Sequence, residues 1–151
     1  MEAVLFIGLP GTGKSSFYKE RFFQTHVRVS LDLLKTRYRE QQILDVCVKT
    51  DQRFDVDNTN PTKAERARFI EALEAARATY VVKGYYFESK VEECLRRNAL
   101  RSAGERVPDV AILSAARKLE LPTLEEGFDA LNYVRLTAAG FIVEEWKNEI
   151  R

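Results

Sequence analysis

Eight consecutive residues, Gly8-Leu9-Pro10-Gly11-Thr12-Gly13-Lys14-Ser15, constrain the fold of this chain more than any others. They fit G-x-x-x-x-G-K-[ST] and follow Val4-Leu5-Phe6-Ile7, a short continuous apolar run suited to a central parallel strand buried on both faces. A helix is predicted from Lys14 to about Phe23, so the pattern lies between a buried strand and a helix, where its mechanism requires it. Its glycines let backbone N–H groups wrap a β-phosphate, the lysine reaches the β- and γ-phosphates, and the serine hydroxyl ligates Mg²⁺. Gly8, Pro10, Gly11, Thr12, Gly13, Lys14, Ser15 and the adjoining Ser16 are therefore predicted to hold a nucleoside triphosphate, ATP foremost.

Downstream, strands alternate with helices. Val27-Arg28-Val29 reads as a second short strand, Leu31 to Gln42 as helix, and Phe54-Asp55-Val56 as a third strand, although Arg53 and Asp55 weaken the case for its full burial. Pro61 and Thr62-x-x-Glu65 form a capping box that opens a helix over Lys63 to Thr79. Tyr80 to Phe87 is β-branched and aromatic, hence a strand. Ser89-x-x-Glu92 is read as a second capping box, for a helix to about Ser102. Asp109 to Leu119 is predicted helical, and Leu131 to Leu136 and Phe141 to Trp146 are late strands. This order implies an α/β layer architecture around a mostly parallel sheet.

With 151 residues, 45% of them hydrophobic, the chain has apolar material for one domain with a real core and too little length for a second. The two cysteines, Cys47 and Cys94, form no C-x-x-C pair and are expected to be buried and reduced. No signal pattern and no apolar run of membrane-spanning length is present, so the expectation is a cytoplasmic protein with no membrane partner. Twenty-four Lys plus Arg nearly balance 23 Asp plus Glu, which leaves any polyanion to be held by a local patch.

Three segments carry further candidate chemistry. Asp32 follows the second strand directly, and strand ends beside such a loop open into the ligand crevice. A carboxylate there could deprotonate an acceptor hydroxyl, with Lys35 and Arg37 nearby to hold the acceptor's negative group. The alternative is that Ser30 or Asp32 simply caps the next helix, and the two roles are compatible. Arg97 and Arg101, four apart and flanked by Arg96 and Arg106, would share a helix face and could close over a triphosphate; a solvated face is the competing reading. Glu92 offers Arg96 a partner one turn back, whereas Arg97 and Arg101 are expected to lack local partners. Asp57, at the end of the third strand, is placed to bind Mg²⁺ or its water shell, with Asn58, Thr59 and Asn60 lining the same crevice and offering neutral donors and acceptors to phosphate, acceptor or neighbouring loop. Here the competing reading is a turn into a capped helix. Tyr85, Tyr86 and Phe87 could stack bases but fit a core strand better, and His26 is assigned no chemistry.

Taken in order, GLPGTGKS, HVRVSLD, DVDNTNPTKAERARFI, YYFE, LRRNALR and VPDVAILSAARKLELPTLEEGFDALNYV resemble the P-loop kinase module of polynucleotide kinases of the phage and eukaryotic end-healing type, from about Leu5 to Val134. The resemblance implies a P-loop NTPase-type, adenylate-kinase-like fold with a helical lid over about residues 89–107, and transfer of the ATP γ-phosphate to a 5′-hydroxyl end of RNA or DNA with Mg²⁺. It assigns the loop lysine and serine to Lys14 and Ser15, the general base to Asp32, the DNTN segment to Asp57 through Asn60, and the lid arginines to Arg97 and Arg101. Where some members have an arginine three residues past the base, this chain has Lys35, which supplies charge without a bidentate fork; Arg37 is the candidate to compensate. Members are often fused to a phosphatase, so this chain is expected to work as a lone kinase or beside a separate phosphatase or ligase. A small-molecule kinase on the same scaffold and a non-catalytic nucleotide-binding module are the competing functions.

Overall fold

The computed structural model describes residues 1–75 and 80–147. Its centre is β1 (Glu2–Ile7), whose residues from Ala3 onward are all buried. Side chains alternate across a strand, so Ala3, Leu5 and Ile7 enter one apolar layer while Val4 and Phe6 enter the other. The first layer is completed by α3 (Arg37–Lys49) and α4 (Lys63–Ala75) through Leu44, Cys47, Phe69, Ile70 and Leu73. The second is completed by α1 (Lys14–Arg21) through Phe17 and Tyr18, with Phe22 just beyond. Phe6 and Phe17 meet with ring centroids 5.8 Å apart, and Phe87 packs edge-on to both, at 4.9 and 5.3 Å. Each such ring contributes on the order of 2 kcal/mol by burial, which fixes α1, and hence the loop before it, against the sheet.

The sheet has the order β2-β3-β1-β4-β5-β6. Strands β2 (Val27–Val29), β3 (Phe54–Val56), β1, β4 (Val81–Phe87) and β5 (Ala130–Thr137) run parallel, and β6 (Gly140–Glu145) closes the edge antiparallel to β5. From β1 the chain runs outward to β2 and back to β3, then crosses to β4 on the other side. The carboxyl end of β1 is therefore the switch point at which open α/β sheets form their ligand crevice.

Several helix boundaries differ from the sequence reading, among them the end of α3, which runs to Lys49 and not Gln42. The helix expected over Leu31 to Gln42 is two helices, α2 (Leu31–Leu34) and α3, separated by Lys35 at φ 71°. Thr36 restarts the helix as an N-cap, its hydroxyl accepting from Arg39 N at 3.1 Å; Arg39 stands where a capping box would show Glu or Gln, so the pattern was silent. Ser89 does not cap α5 (Val91–Ala99), which ends before Ser102; Lys90 is its N-cap and no side chain caps it. Thr62 does cap α4 (Glu65 N to Thr62 Oγ1, 3.1 Å), and the last four residues of the helix expected there, 76–79, lie outside the described residues. Helix α6 (Asp109–Lys118) follows as expected, and Thr123 and Glu126 form a reciprocal capping box on a 3₁₀ turn at Leu124–Glu126. Both cysteines are buried and free. Tyr86 and Phe87 are core residues, and among the described residues no helix is long and apolar enough to cross a membrane.

Candidate active site

The loop between β1 and α1 needs left-handed backbone at Gly11 (φ 88°) and Gly13 (φ 95°), which glycine adopts without strain. Gly11 has a second constraint: a Cβ there would lie 2.9 Å from the Cys94 carbonyl oxygen, so only glycine lets α5 seat on the loop. The ammonium of Lys14 donates to the carbonyl oxygens of Gly8 and Leu9, both at 2.8 Å. Burial pulls its pKa down to about 8, against the opposing pull of Asp57 and, more weakly, of Asp32; Arg101 adds to the lowering. A buried cation held this way gains most from an anion brought into the loop.

The DNTN stretch is a set of ties. The Asp57 carboxylate accepts from Ser15 Oγ at 3.1 Å and from Arg28 Nε at 2.8 Å, and Arg28 Nη2 reaches Ser15 Oγ at 3.1 Å. Asn58 accepts from Leu31 N at 2.9 Å and donates to Glu40 at 2.9 Å, fixing the turn that carries Asp32. The Thr59 carbonyl accepts from Gly8 N at 3.0 Å, and Asn60, at φ 46°, donates to Phe6 O at 2.7 Å. Instead of the phosphate, acceptor or neighbouring loop considered from sequence, these two amides engage α2, α3 and β1.

Asp32 is exposed in the first turn of α2. Ser30 performs the capping, its hydroxyl accepting from Asp32 N at 3.3 Å, and the Asp32 carboxylate has no protein partner among the described residues. Lys35 is exposed and likewise unengaged, while Arg37 is committed to Glu40 at 2.9 Å. Contrary to the sequence expectation, Arg97 is paired: one Nη reaches Glu93, one turn back, at 3.2 Å, and the other the Gly11 carbonyl at 3.3 Å. Arg101 lies in the turn beyond the end of α5, so the two arginines do not share a helix face; its guanidinium is nonetheless close enough to act on Lys14.

Sequence reasoning missed Arg28, Asp55 and Glu40. Asp55 is fully buried, its two oxygens have no hydrogen-bond partner among the described residues, and burial, reinforced by Asp57, raises its pKa well above its ordinary value despite Arg28. Glu40 is also fully buried, accepting from Arg37 and Asn58 with Arg68 at 3.6 Å. The polar residues of V-R-V and F-D-V did carry a signal: strand alternation turns Arg28 and Asp55 to the same face, where they are register partners.

A Gly-Lys-Ser loop at the switch point of this sheet defines the P-loop NTPase-type fold. Among solved structures, Chaetomium thermophilum Kti12, crystallised with ADP-AlF3, superposes with a TM-score of 0.63 at 16% identity over 91% of this chain and 92% of that one. A chain of a Pnkp1/Rnl/Hen1 RNA repair complex superposes at 0.59 and 16% identity, over 78% of this chain and 43% of that one. In sequence, the chain is 28% identical over 131 residues to a bifunctional polynucleotide phosphatase/kinase of Schizosaccharomyces pombe, covering 84% of this chain and 32% of that protein. The chain thus spans about a third of the length of the curated relatives it matches. No family model matches it.

Proposed function

We propose that this chain is an ATP- and Mg²⁺-dependent polynucleotide 5′-hydroxyl kinase domain, acting on RNA or DNA ends in nucleic-acid repair. The observation that carries the proposal is that Lys14, Ser15, Asp57 and an Asp32 unpartnered among the described residues follow the carboxyl ends of β1, β2 and β3, while Arg101, in the turn after α5, acts electrostatically on Lys14. The similarity to a polynucleotide phosphatase/kinase across most of the chain supplies the substrate class.

Lys14 holds the β- and γ-phosphates once its ammonium turns from the loop carbonyls to them. Ser15 and Asp57 fit Mg²⁺, because a hydroxyl and a carboxylate are hard oxygen donors and Mg²⁺ retains several waters, needing one or two protein oxygens. When bound, the ion neutralises charge on the β- and γ-oxygens. Asp32 orients the 5′-hydroxyl and accepts its proton as the oxygen attacks the γ-phosphorus and the bond from that phosphorus to the β,γ-bridging oxygen breaks, releasing ADP. Arg97 and Arg101, in the lid over about residues 89–107, stabilise negative charge on the transferring group. Lys35, exposed beside Asp32, takes an acceptor phosphate, with Arg37 behind it. The site needs only a strand end, in keeping with a net charge of +1. Phosphatase and ligase steps, if they accompany it, are carried by other domains or proteins.

The test is transfer of labelled γ-phosphate from ATP with Mg²⁺ to 5′-hydroxyl single-stranded RNA and DNA, against 5′-phosphorylated strands and a panel of nucleosides. Labelling restricted to the 5′-hydroxyl strands is expected. Labelling of a nucleoside with both strands untouched would replace the polynucleotide substrate with a small molecule.

A further inference from the structure

The Arg28, Ser15 and Asp57 contacts form a closed triangle with sides of 2.8, 3.1 and 3.1 Å, on the oxygens that a P-loop metal would use. An ion seated on Ser15 Oγ and Asp57 Oδ2 would stand within a few ångströms of the guanidinium that is bonded to the same two oxygens, and like charges that close repel. The Asp57 carboxylate is almost fully buried and the Arg28 side chain about one quarter exposed (2% and 26%), so bulk water screens the pair poorly.

Asp55 supplies an independent observation. It lies directly opposite Arg28 in the β2–β3 register, on the same sheet face as Asp57 two residues later, and adjacent strands are only about 4.8 Å apart. A wholly buried carboxyl without a hydrogen-bond partner among the described residues demands an explanation in a folded protein. The one guanidinium opposite it is engaged with the next carboxylate along.

We propose that Arg28 fills the cation seat of the metal-free site, and that a metal ion enters with the nucleotide by displacing the guanidinium from Asp57 toward Asp55. This rests on the assignment of Ser15 and Asp57 to the metal. Arg28 then sets how strongly nucleotide affinity depends on metal. The protein holds a nucleotide without metal because a cation is already built in, and part of the gain from metal binding is offset by moving that cation away.

The measurement is ADP affinity by calorimetry in EDTA and in saturating Mg²⁺, the ratio giving the coupling between metal and nucleotide. Arg28→Gln, which removes a unit charge from beside the seat, is expected to raise that ratio by about tenfold or more over wild type. Arg28→Lys, which keeps the charge, should stay near wild type. Asp55→Leu, which removes the alternative berth, should lower the ratio. Far-UV circular dichroism confirms that each variant is folded. An unchanged or smaller ratio in Arg28→Gln overturns the proposal, and an unchanged ratio in Asp55→Leu overturns the displacement toward Asp55. Ser15→Ala separates the two layers: if it leaves the wild-type ratio intact, the metal assignment itself fails. If it abolishes the ratio while Arg28→Gln does not change it, only the role of Arg28 fails.

Discussion

Asp32 and Asp57 stand at the ends of β2 and β3, yet their surroundings give them different work. Asp57 is buried and bonded to Ser15 and Arg28, whereas Asp32 is exposed with an unengaged carboxylate. A base must be free to take a proton, so Asp32→Asn is expected to reduce phosphoryl transfer about 100-fold or more with nucleotide affinity unchanged; unaltered turnover would remove Asp32 from that role. His26 is a structural residue, its Nε2 3.0 Å from Glu2 and its Nδ1 2.7 Å from the Thr25 hydroxyl. Burial lowers its pKa, although Glu2 pulls the other way. The folded protein therefore takes up that proton at a lower pH than the unfolded chain, which binds it near pH 6.5. Wild type should lose melting temperature relative to His26→Gln as pH falls through that value; a constant gap between the two would contradict it. The loop residues were legible because glycine, lysine and serine have few substitutes in a phosphate cradle. Arg28 was not, because an arginine on a three-residue edge strand reads as solvated until the fold brings Asp57, just past β3, beside it.

Among the elements, the break between α2 and α3 was hidden because Lys35 in a left-handed conformation has no residue signature, unlike a glycine. What the break accomplishes is visible in Glu40. On the first turn of α3, it grips Asn58, and through Asn58 the turn that bears Asp32. Glu40→Ala would leave Asn58 and Arg37 without their acceptor, with an expected cost of about 2–4 kcal/mol in stability, read from urea unfolding. In the milder Glu40→Gln, kcat should fall severalfold with little change in KM for ATP, because the damage lies on the acceptor side; a rise in KM for ATP alone would refute that link. Capping patterns were uneven guides. Thr62 caps as its box predicts, but the Ser89 hydroxyl accepts from Leu9 N at 3.2 Å and donates to Phe87 O at 2.8 Å, tying the phosphate loop to β4. Tertiary demand overrode the local motif there.

At the scale of the molecule, the alternation of strands and helices predicted a parallel sheet, and five of the six strands obey it. The order in which they assemble was not legible, since it depends on which connections return beside β1. Nor was the tie that binds α4 to the segment before β5: fully buried Arg66 donates to Glu126 at 2.8 and 3.2 Å and to Asn60 O at 2.9 Å. In sequence Arg66 is one of several charges on a helix. Arg66→Ala should cost about 3–5 kcal/mol, measured by chemical denaturation, because Glu126 is left unpaired; a loss below 1 kcal/mol would show the pair to be dispensable.

The sheet also has a temporal consequence. Gly13, in the phosphate loop near the start of the chain, lies where a Cβ would come within 3.0 Å of the Phe141 ring on the last strand. Synthesis runs from one end to the other, so the loop emerges from a ribosome long before the aromatic wall that packs against it. The packing around the loop is therefore complete only when the β5–β6 hairpin arrives, and a nascent chain arrested short of Gly140 would carry every residue of the signature motif without that wall.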